Sequence, residues 1–182
     1  FIKRNGEFTV NIALIENGKS IAGVVYAPVI NMLYFGAVGI GSYRLEADEE
    51  YLSHLMQSHH TADRMIEAGT RLPMQQEEHT FTAVASRSHL TPETATFIEN
   101  LQAEHGTIKM VSKGSSLKLC LVAEGSADVY PRFAPTMEWD TAAGQAVAVA
   151  AGCSVINGHT MSDTLVYNKE DLLNPWFVVQ RD

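Results

Sequence analysis

The stretch Glu138-Trp-Asp-Thr-Ala-Ala-Gly144 contains the residue with the clearest chemical potential, Asp140. Its carboxylate is predicted to lie in the first turn of a helix, where the helix dipole favours a negative charge and also an anion or a metal–phosphate group. The small residues 142–144 would let this helix pack closely against its neighbours. An Asp in this position is more often a helix cap than a ligand, so the spacing alone leaves both roles open.

A second stretch, Gly114-Ser-Ser-Leu-Lys118, has the composition of an anion site. Free backbone N–H groups and serine hydroxyls at a helix start can face an anion, with Lys118 one turn along as a point charge. Arg132, after Tyr130-Pro131, could hold a second phosphate with two parallel hydrogen bonds. The plainer alternatives are that Ser115 only caps a helix and that Lys118 is a solvated cation.

The elements that would position these residues fall into two parts. Residues 8–15 and 20–27 have strand composition, and Asn17-Gly18 between them is a strong hairpin signal because both residues tolerate positive φ. Shorter strands are predicted at 32–36 and 41–45, which gives an antiparallel meander of about four strands. Residues 46–79 are polar and irregular, with one helix predicted at 49–58, and are expected to form a surface excursion.

From residue 81 onward, strands alternate with helices. Helices are predicted at 92–105, with Thr91 as N-cap, at 115–124 and at 139–151, and strands at 81–86, 107–112, 127–130 and 153–156. This alternation is typical of an α/β layer on a mixed or largely parallel sheet. The predicted division is therefore an antiparallel-sheet part over residues 1–79, with its connecting loop, and an α/β part over residues 80–182.

Composition excludes several classes of partner. The formal net charge is -8 and Lys and Arg are scattered, which argues against a nucleic-acid polymer. No apolar run reaches the roughly 18–20 residues of a transmembrane segment. Cys120 and Cys153 lie in apolar contexts and are expected to be reduced core residues. A cytoplasmic location is expected, with peripheral association at the inner membrane left open.

Six stretches together resemble the inositol monophosphatase superfamily, and more specifically its 3'(2'),5'-bisphosphate nucleotidases. They cover nearly the whole chain outside residues 46–79, and each alone would be weak. The stretches are Trp139-Asp-Thr-Ala-Ala-Gly144, Asn5-Gly-Glu-Phe-Thr-Val-Asn-Ile-Ala-Leu14, Gly23-Val-Val-Tyr-Ala-Pro28, Ser86-Arg-Ser-His89, Gly114-Ser-Ser-Leu-Lys118 running on to Gly125, and Tyr130-Pro-Arg132.

The resemblance implies a fold of alternating helix and sheet layers and a phosphatase with Mg²⁺ as its cofactor. The implied substrate is 3'-phosphoadenosine 5'-phosphate, cleaved to AMP and phosphate in sulfur metabolism by in-line attack of water without a phospho-enzyme. His89, Gly114, Lys118 and Asp140 match the family's nucleotide-contacting positions. Asp140 also matches a metal ligand and is the catalytic candidate.

The family's other metal ligands stand in an upstream Glu and an Asp-Pro-[Ile/Leu]-Asp-Gly-Thr loop, and neither is among these 182 residues. The chain is therefore expected to be the C-terminal two-thirds of a longer protein, truncated at its N-terminus and inactive alone. Two alternatives stay open. One is a phosphatase of another small ester, such as inositol monophosphate or a sugar bisphosphate, and the other is a non-catalytic nucleotide-binding module.

Overall fold

An antiparallel sheet forms the first half of the protein, as predicted. The computed structural model describes residues 6–57, 59–75, 80–85 and 91–181. Asn17 and Gly18 form the hairpin turn with φ of 50° and 76°, and a short 3₁₀ helix over Pro28–Ile30 follows the second strand. The five strands are hydrogen-bonded in chain order: β1 (Val10–Glu16), β2 (Lys19–Ala27), β3 (Met32–Ala37), β4 (Gly41–Glu46) and β5 (Thr70–Arg71).

The helix predicted at 49–58 is confirmed, whereas a second helix and the short strand β5 in the segment 46–79 were not predicted. Helix α1 spans Glu49–Met56 and α2 spans Thr61–Ala68, and β5 then joins the edge of the sheet. Leu52 and Met65 pack against the outer face of the sheet. The sparse apolar residues of each helix lie on one face, which is enough to bury that face while the rest stays polar.

The second half contains three helices and a mixed sheet. β6 pairs in parallel with β7 and β8, whereas β10 lies antiparallel between β8 and β9. Strand β10 was not predicted, and it completes the sheet. The elements are β6 (Thr82–Val84), α3 (Pro92–His105), β7 (Lys109–Val111), α4 (Leu117–Glu124), β8 (Val129–Arg132), α5 (Glu138–Ala150), β9 (Cys153–Asn157) and β10 (Phe177–Arg181).

Within the described ranges, two sheets and five α-helices stack in alternating layers. Helices α4 and α5 lie between the sheets, α1 and α2 cover the outside of the first sheet, and α3 covers the outside of the second. A Cβ on Gly23 would lie 2.3 Å from the Ala143 carbonyl oxygen, and one on Gly144 would lie 3.0 Å from Leu119 Cβ. These glycines let α5 approach β2 and α4. The predicted fold class is confirmed.

One apolar core joins the two halves. It includes Val25 and Tyr34 of the first sheet, Val147 of α5 and Phe177 of the second sheet. Cys120 and Cys153 are buried core residues that form no disulfide, as predicted. Over the part of the chain that the structure describes, no helix has the length and apolarity to cross a membrane. The division into two parts at residue 79 stays a prediction.

Candidate anion-binding site

The turn that precedes α4 is held by a residue from the distant β1 region. Glu7 Oε2 accepts a hydrogen bond of 2.8 Å from the Gly114 N–H. A Cβ on Gly114 would lie 2.9 Å from Glu7 Cβ, so the close approach requires glycine. In this structure a carboxylate of the chain itself accepts from this N–H, and the contact of Gly114 with a ligand stays a prediction. Ser115 follows with φ of 53°, and Ser116 is the N-cap residue.

Lys118 is buried, with 8% of its surface exposed, so it is not a solvated surface cation. Its ammonium donates to the carbonyl oxygens of Ser115 at 2.7 Å and Lys113 at 3.3 Å. It also lies 5.5 Å from the centre of the Tyr130 ring, within the range of a cation–π contact. These contacts fix the ammonium beside the turn that carries the two serines.

The predicted charged residues lie within electrostatic reach of one another. Burial lowers the pKa of Lys118 to about 8, and the charge of Arg132 adds to this shift, while Glu7 and Asp140 oppose it. Burial also raises the pKa of Tyr130, with Arg132 opposing and Asp140 adding to the increase. Two cations, Lys118 and Arg132, and two carboxylates, Glu7 and Asp140, therefore lie close to the start of α4.

Arg132 retains hydrogen-bonding capacity towards a ligand. Its Nη2 donates to the Pro135 carbonyl at 3.2 Å. Its Nε is buried and has no hydrogen-bond partner among the residues that the structure describes. A guanidinium presents five N–H donors in a fixed plane, so an anion beside this group could be held by more than one hydrogen bond.

Asp140 caps its own helix and still leaves one carboxylate oxygen available. It is exposed in the first turn of α5, and its Oδ2 accepts a hydrogen bond of 2.8 Å from the Met137 N–H. Within the described ranges, no donor contacts Oδ1. The two roles considered from the sequence, cap and ligand, are therefore compatible because they use different oxygen atoms.

A buried polar network in the protein interior supports the first turn of α5. Asn174 Nδ2 donates to the Met137 carbonyl at 2.8 Å and to Thr141 Oγ1 at 3.0 Å. The Tyr167 hydroxyl donates to Gln145 Oε1 at 2.7 Å and lies 3.2 Å from Thr141 Oγ1. These side chains fix residues 137–141 from the interior.

Glu138 anchors the same turn with a charge. Its carboxylate accepts hydrogen bonds from the backbone N–H groups of Asn168 at 2.7 Å and Lys169 at 3.1 Å, and from Lys169 Nζ at 2.5 Å. Burial raises the pKa of this carboxyl, but the three hydrogen bonds and the Lys169 charge outweigh it, so the net shift is downward. The negative charge of Glu138 therefore stabilises the start of α5 and is not available to a ligand.

The described residues do not by themselves fit a Mg²⁺ site. Among them, no group of three or more His, Cys, Asp or Glu side chains could hold a metal ion. Mg²⁺ prefers six oxygen ligands in near-octahedral geometry, and Asp140 offers one carboxylate oxygen here. His89, the remaining predicted contact, lies outside the described residues, so its role stays a prediction.

Sequence reasoning missed two polar residues at the start of the first strand that contact the predicted serines, Asn11 in β1 and Thr9 directly before it. Thr9 Oγ1 lies 2.7 Å from Ser115 Oγ and 2.8 Å from Ser116 Oγ. Ser116 Oγ donates to Asn11 Oδ1 at 2.6 Å. The signal was present as alternation, since Thr9 and Asn11 share one face while Val10 and Ile12 lie on the other.

The layered fold and the site at the start of α4 and α5 together define a class of protein. The sequence profile of the inositol monophosphatase family matches residues 1–176. The chain belongs to the inositol monophosphatase family.

Similar proteins narrow the comparison to one branch of the family. The chain is 47% identical over 181 residues to the 3'(2'),5'-bisphosphate nucleotidase CysQ of Salmonella typhimurium, covering 98% of this chain and 62% of that protein. The Escherichia coli K12 protein of the same name has the same identity and coverage. The resemblance to the bisphosphate nucleotidases is thus confirmed, and the chain spans about three fifths of the length of these curated relatives.

Solved structures agree with this assignment. The crystal structure of CysQ from Bacteroides thetaiotaomicron is similar with a TM-score of 0.90 and 54% identity, covering all of this chain and 65% of that one. Staphylococcal IMPase-II has a TM-score of 0.70 at 18% identity, over all of this chain and 62% of that one. The second likeness supports the fold alone.

Proposed function

We propose that this chain carries the substrate-binding side of a 3'(2'),5'-bisphosphate nucleotidase, which hydrolyses 3'-phosphoadenosine 5'-phosphate to AMP and phosphate. The proposal draws on the 47% identity to CysQ, whose name gives this class of activity. The single observation that carries it is the Lys118 ammonium fixed beside the exposed Ser115, within electrostatic reach of Arg132, Asp140 and Glu7. Two cations suit a small ligand with two phosphate groups.

Each cation would act in a different way. The Lys118 ammonium is held by two carbonyl oxygens, so it would offer a fixed point charge to a phosphate oxygen. The Arg132 guanidinium, with its unpartnered buried Nε, would hold a phosphate through parallel hydrogen bonds. Ser115 is exposed, and its hydroxyl would donate to the same anion.

The family resemblance suggests Mg²⁺ as the cofactor, and Asp140 is the ligand that these residues would contribute. Its free Oδ1 suits a hard cation, since Mg²⁺ prefers carboxylate oxygens. One carboxylate is not a complete site, so no catalytic step is assigned to the ion. A cytoplasmic location and a role in sulfur metabolism are part of the proposal, and both come from the family resemblance alone.

The test is phosphate release by the protein in its full natural length, with Mg²⁺. Initial rates on 3'-phosphoadenosine 5'-phosphate and on inositol monophosphate give kcat/KM for each. We expect the nucleotide to be the better substrate by at least about tenfold, because a second phosphate can add a charge-assisted interaction of roughly 1.5–3 kcal/mol. A preference for inositol monophosphate would overturn the proposal in favour of another small ester.

Two lysine variants make the assignment of the cation specific. Lys118→Ala is expected to lower kcat/KM for the nucleotide by about ten- to a hundredfold, since it removes a charge-assisted interaction of roughly 1.5–3 kcal/mol. Lys109→Ala is the matched control, because Lys109 is exposed on β7. Equal kcat/KM values for the two variants would remove Lys118 from the site.

A further inference from the structure

Thr9 and Asn11 form a hydrogen-bonded chain with the two serines before α4. Asn11 Nδ2 donates to Thr9 Oγ1 at 3.2 Å, and Ser116 Oγ donates to Asn11 Oδ1 at 2.6 Å. Thr9 Oγ1 in turn lies 2.7 Å from Ser115 Oγ and 2.8 Å from Ser116 Oγ. Ser116 is buried, Thr9 and Asn11 are half-buried, and Ser115 is exposed. The chain therefore runs from the interior to the surface of the candidate site.

The amide of Asn11 gives this chain a direction. A carboxamide oxygen can only accept hydrogen bonds and its nitrogen can only donate them, whereas each hydroxyl can do both. Ser116 Oγ donates its hydrogen bond to Asn11 Oδ1, and Thr9 Oγ1 accepts a hydrogen bond from Asn11 Nδ2. With the Ser116 proton on Asn11, the 2.8 Å contact between Thr9 and Ser116 requires the Thr9 proton, and the 2.7 Å contact between Thr9 and Ser115 then requires the Ser115 proton. If the Thr9 proton turns from Ser116 to Ser115 instead, the Ser115 proton is released to donate outward.

An anion selects this second arrangement. Phosphate oxygens can accept hydrogen bonds but, when ionised, cannot donate them, so a serine that presents its lone pairs would repel them. We propose that Asn11 and Thr9 are positioning residues that orient the Ser115 hydroxyl to donate to a phosphate oxygen of the substrate. The inference rests on the proposed function, and it assigns to β1 a role in substrate binding through Ser115.

The first test compares Thr9→Val, which deletes the hydroxyl, with Thr9→Ser, which keeps it. In the full-length protein, Thr9→Val is expected to raise KM for 3'-phosphoadenosine 5'-phosphate roughly five- to tenfold with kcat changed less than about twofold, as for a lost hydrogen bond of ~1 kcal/mol. Thr9→Ser is expected to restore most of the wild-type KM. A purely structural tie would change kcat or the melting temperature as much as KM.

A double-mutant cycle with Ser115→Ala separates orientation from packing. If Thr9 acts through Ser115, Thr9→Val should add little to the KM of Ser115→Ala, so the two effects should be strongly non-additive. Asn11→Asp provides a second variant that keeps the shape of the side chain but replaces the donor by an acceptor. Its orientation effect should disappear in the Ser115→Ala background, whereas the effect of its added charge should persist there.

The outcomes distinguish the two proposals. Failure of the wild-type protein to hydrolyse 3'-phosphoadenosine 5'-phosphate would overturn the proposed function and this inference with it. Hydrolysis by the wild type with equal KM values for Thr9→Val and Thr9→Ser would overturn the positioning role alone, as would full additivity with Ser115→Ala. Rescue by Thr9→Ser together with non-additivity would support it.

Discussion

The starts of α4 and α5 lie side by side but are held in different ways. The start of α4 depends on partly exposed hydroxyl and amide groups, with Ser115 itself at the surface. The start of α5 exposes Asp140 but is fixed from below by buried Glu138, Thr141 and Asn174. One helix start rests on a hydrogen-bonded surface chain, and the other on an interior polar network.

This difference in hydrogen bonding predicts that mutations at the two helix starts have different effects on ligand binding and on stability. Removing a buried hydrogen-bond partner leaves an unsatisfied group without water, which costs about 1–3 kcal/mol, whereas water replaces a lost partner at the surface. Changes beneath α5 should therefore lower the free energy of unfolding. A change of the exposed Ser115 at the start of α4 should alter ligand binding while stability is nearly constant.

Asp140→Asn should greatly lower the hydrolysis rate while changing the free energy of unfolding little. The amide oxygen can still accept the Met137 N–H, so the change in unfolding free energy should stay below about 1 kcal/mol. The hydrolysis rate should fall by at least about a hundredfold, as when a single electrostatic group of an active site is removed. Asp63→Asn is a matched control, since Asp63 lies at the same position in the first turn of α2. Equal rates for both variants would contradict the assignment.

Glu138→Ala should cause the largest loss of stability. It leaves the Lys169 ammonium and two backbone N–H groups without their acceptor, so we expect a decrease of about 2–3 kcal/mol in the free energy of unfolding, measured in urea. Glu170→Ala, at an exposed position, should change it by less than about 0.5 kcal/mol. A similar effect of both would show that the anchor adds nothing.

The same carboxylate predicts a pH dependence. Because the folded-state pKa of Glu138 lies below its ordinary value of 4.5, its stabilisation is complete above that value and is lost as the pH falls through the lowered pKa. The wild type should therefore lose more stability on acidification than Glu138→Gln does. Parallel acid unfolding curves for the two proteins would be evidence against this linkage.

Asn174→Ala should have an intermediate effect of about 1–2 kcal/mol on stability, because it removes the donors to Met137 and Thr141. The looser turn should also lower kcat, whereas KM should change little. Asn100→Ala, on the exposed face of α3, serves as the control. Thermal unfolding and initial rates measure both effects, and an unchanged kcat would limit Asn174 to a purely structural role.

The smallest effect concerns Lys118 and pH. Its folded pKa of about 8 is below the ordinary 10.5, so the amine loses its charge as the pH rises through 8. KM for the nucleotide should therefore rise roughly threefold to tenfold between pH 7 and 9.5. The free-energy cost of the buried charge is relieved over the same range, so this group's contribution to stability improves as binding weakens. Lys118→Arg keeps its charge, and its KM profile should be flatter.

Local signals predicted most of the elements. Thr91 and Pro92 begin α3 with the Thr91 hydroxyl accepting from the Thr94 N–H at 3.2 Å, and Gly106 ends it with φ of 76°. In each case the residue type itself restricts the backbone, so no tertiary information was needed. The helix at 49–56 was predicted, but the helix at 61–68 was missed. It lies against only one layer, so it needs few apolar residues and gives a weak pattern.

The sequence by itself determined that the residues of the first strand alternate between two faces. It did not determine which face the rest of the protein covers. Phe8, Val10, Ile12 and Leu14 are exposed in this structure, while the polar Thr9 and Asn11 face α4. A period of two residues defines two faces, and it does not state which one the rest of the protein covers.

Only the tertiary structure decided which groups meet at the candidate site. The bond from Gly114 to Glu7 joins residues separated by 107 positions, and that from Ser20 Oγ to the Ala142 carbonyl spans 122. Residue types and local spacing identified Lys118, Arg132 and Asp140 as candidates, because their chemistry is carried by single side chains. Their partners come from distant strands and loops, because packing brings those segments together and no local pattern encodes the distance between them.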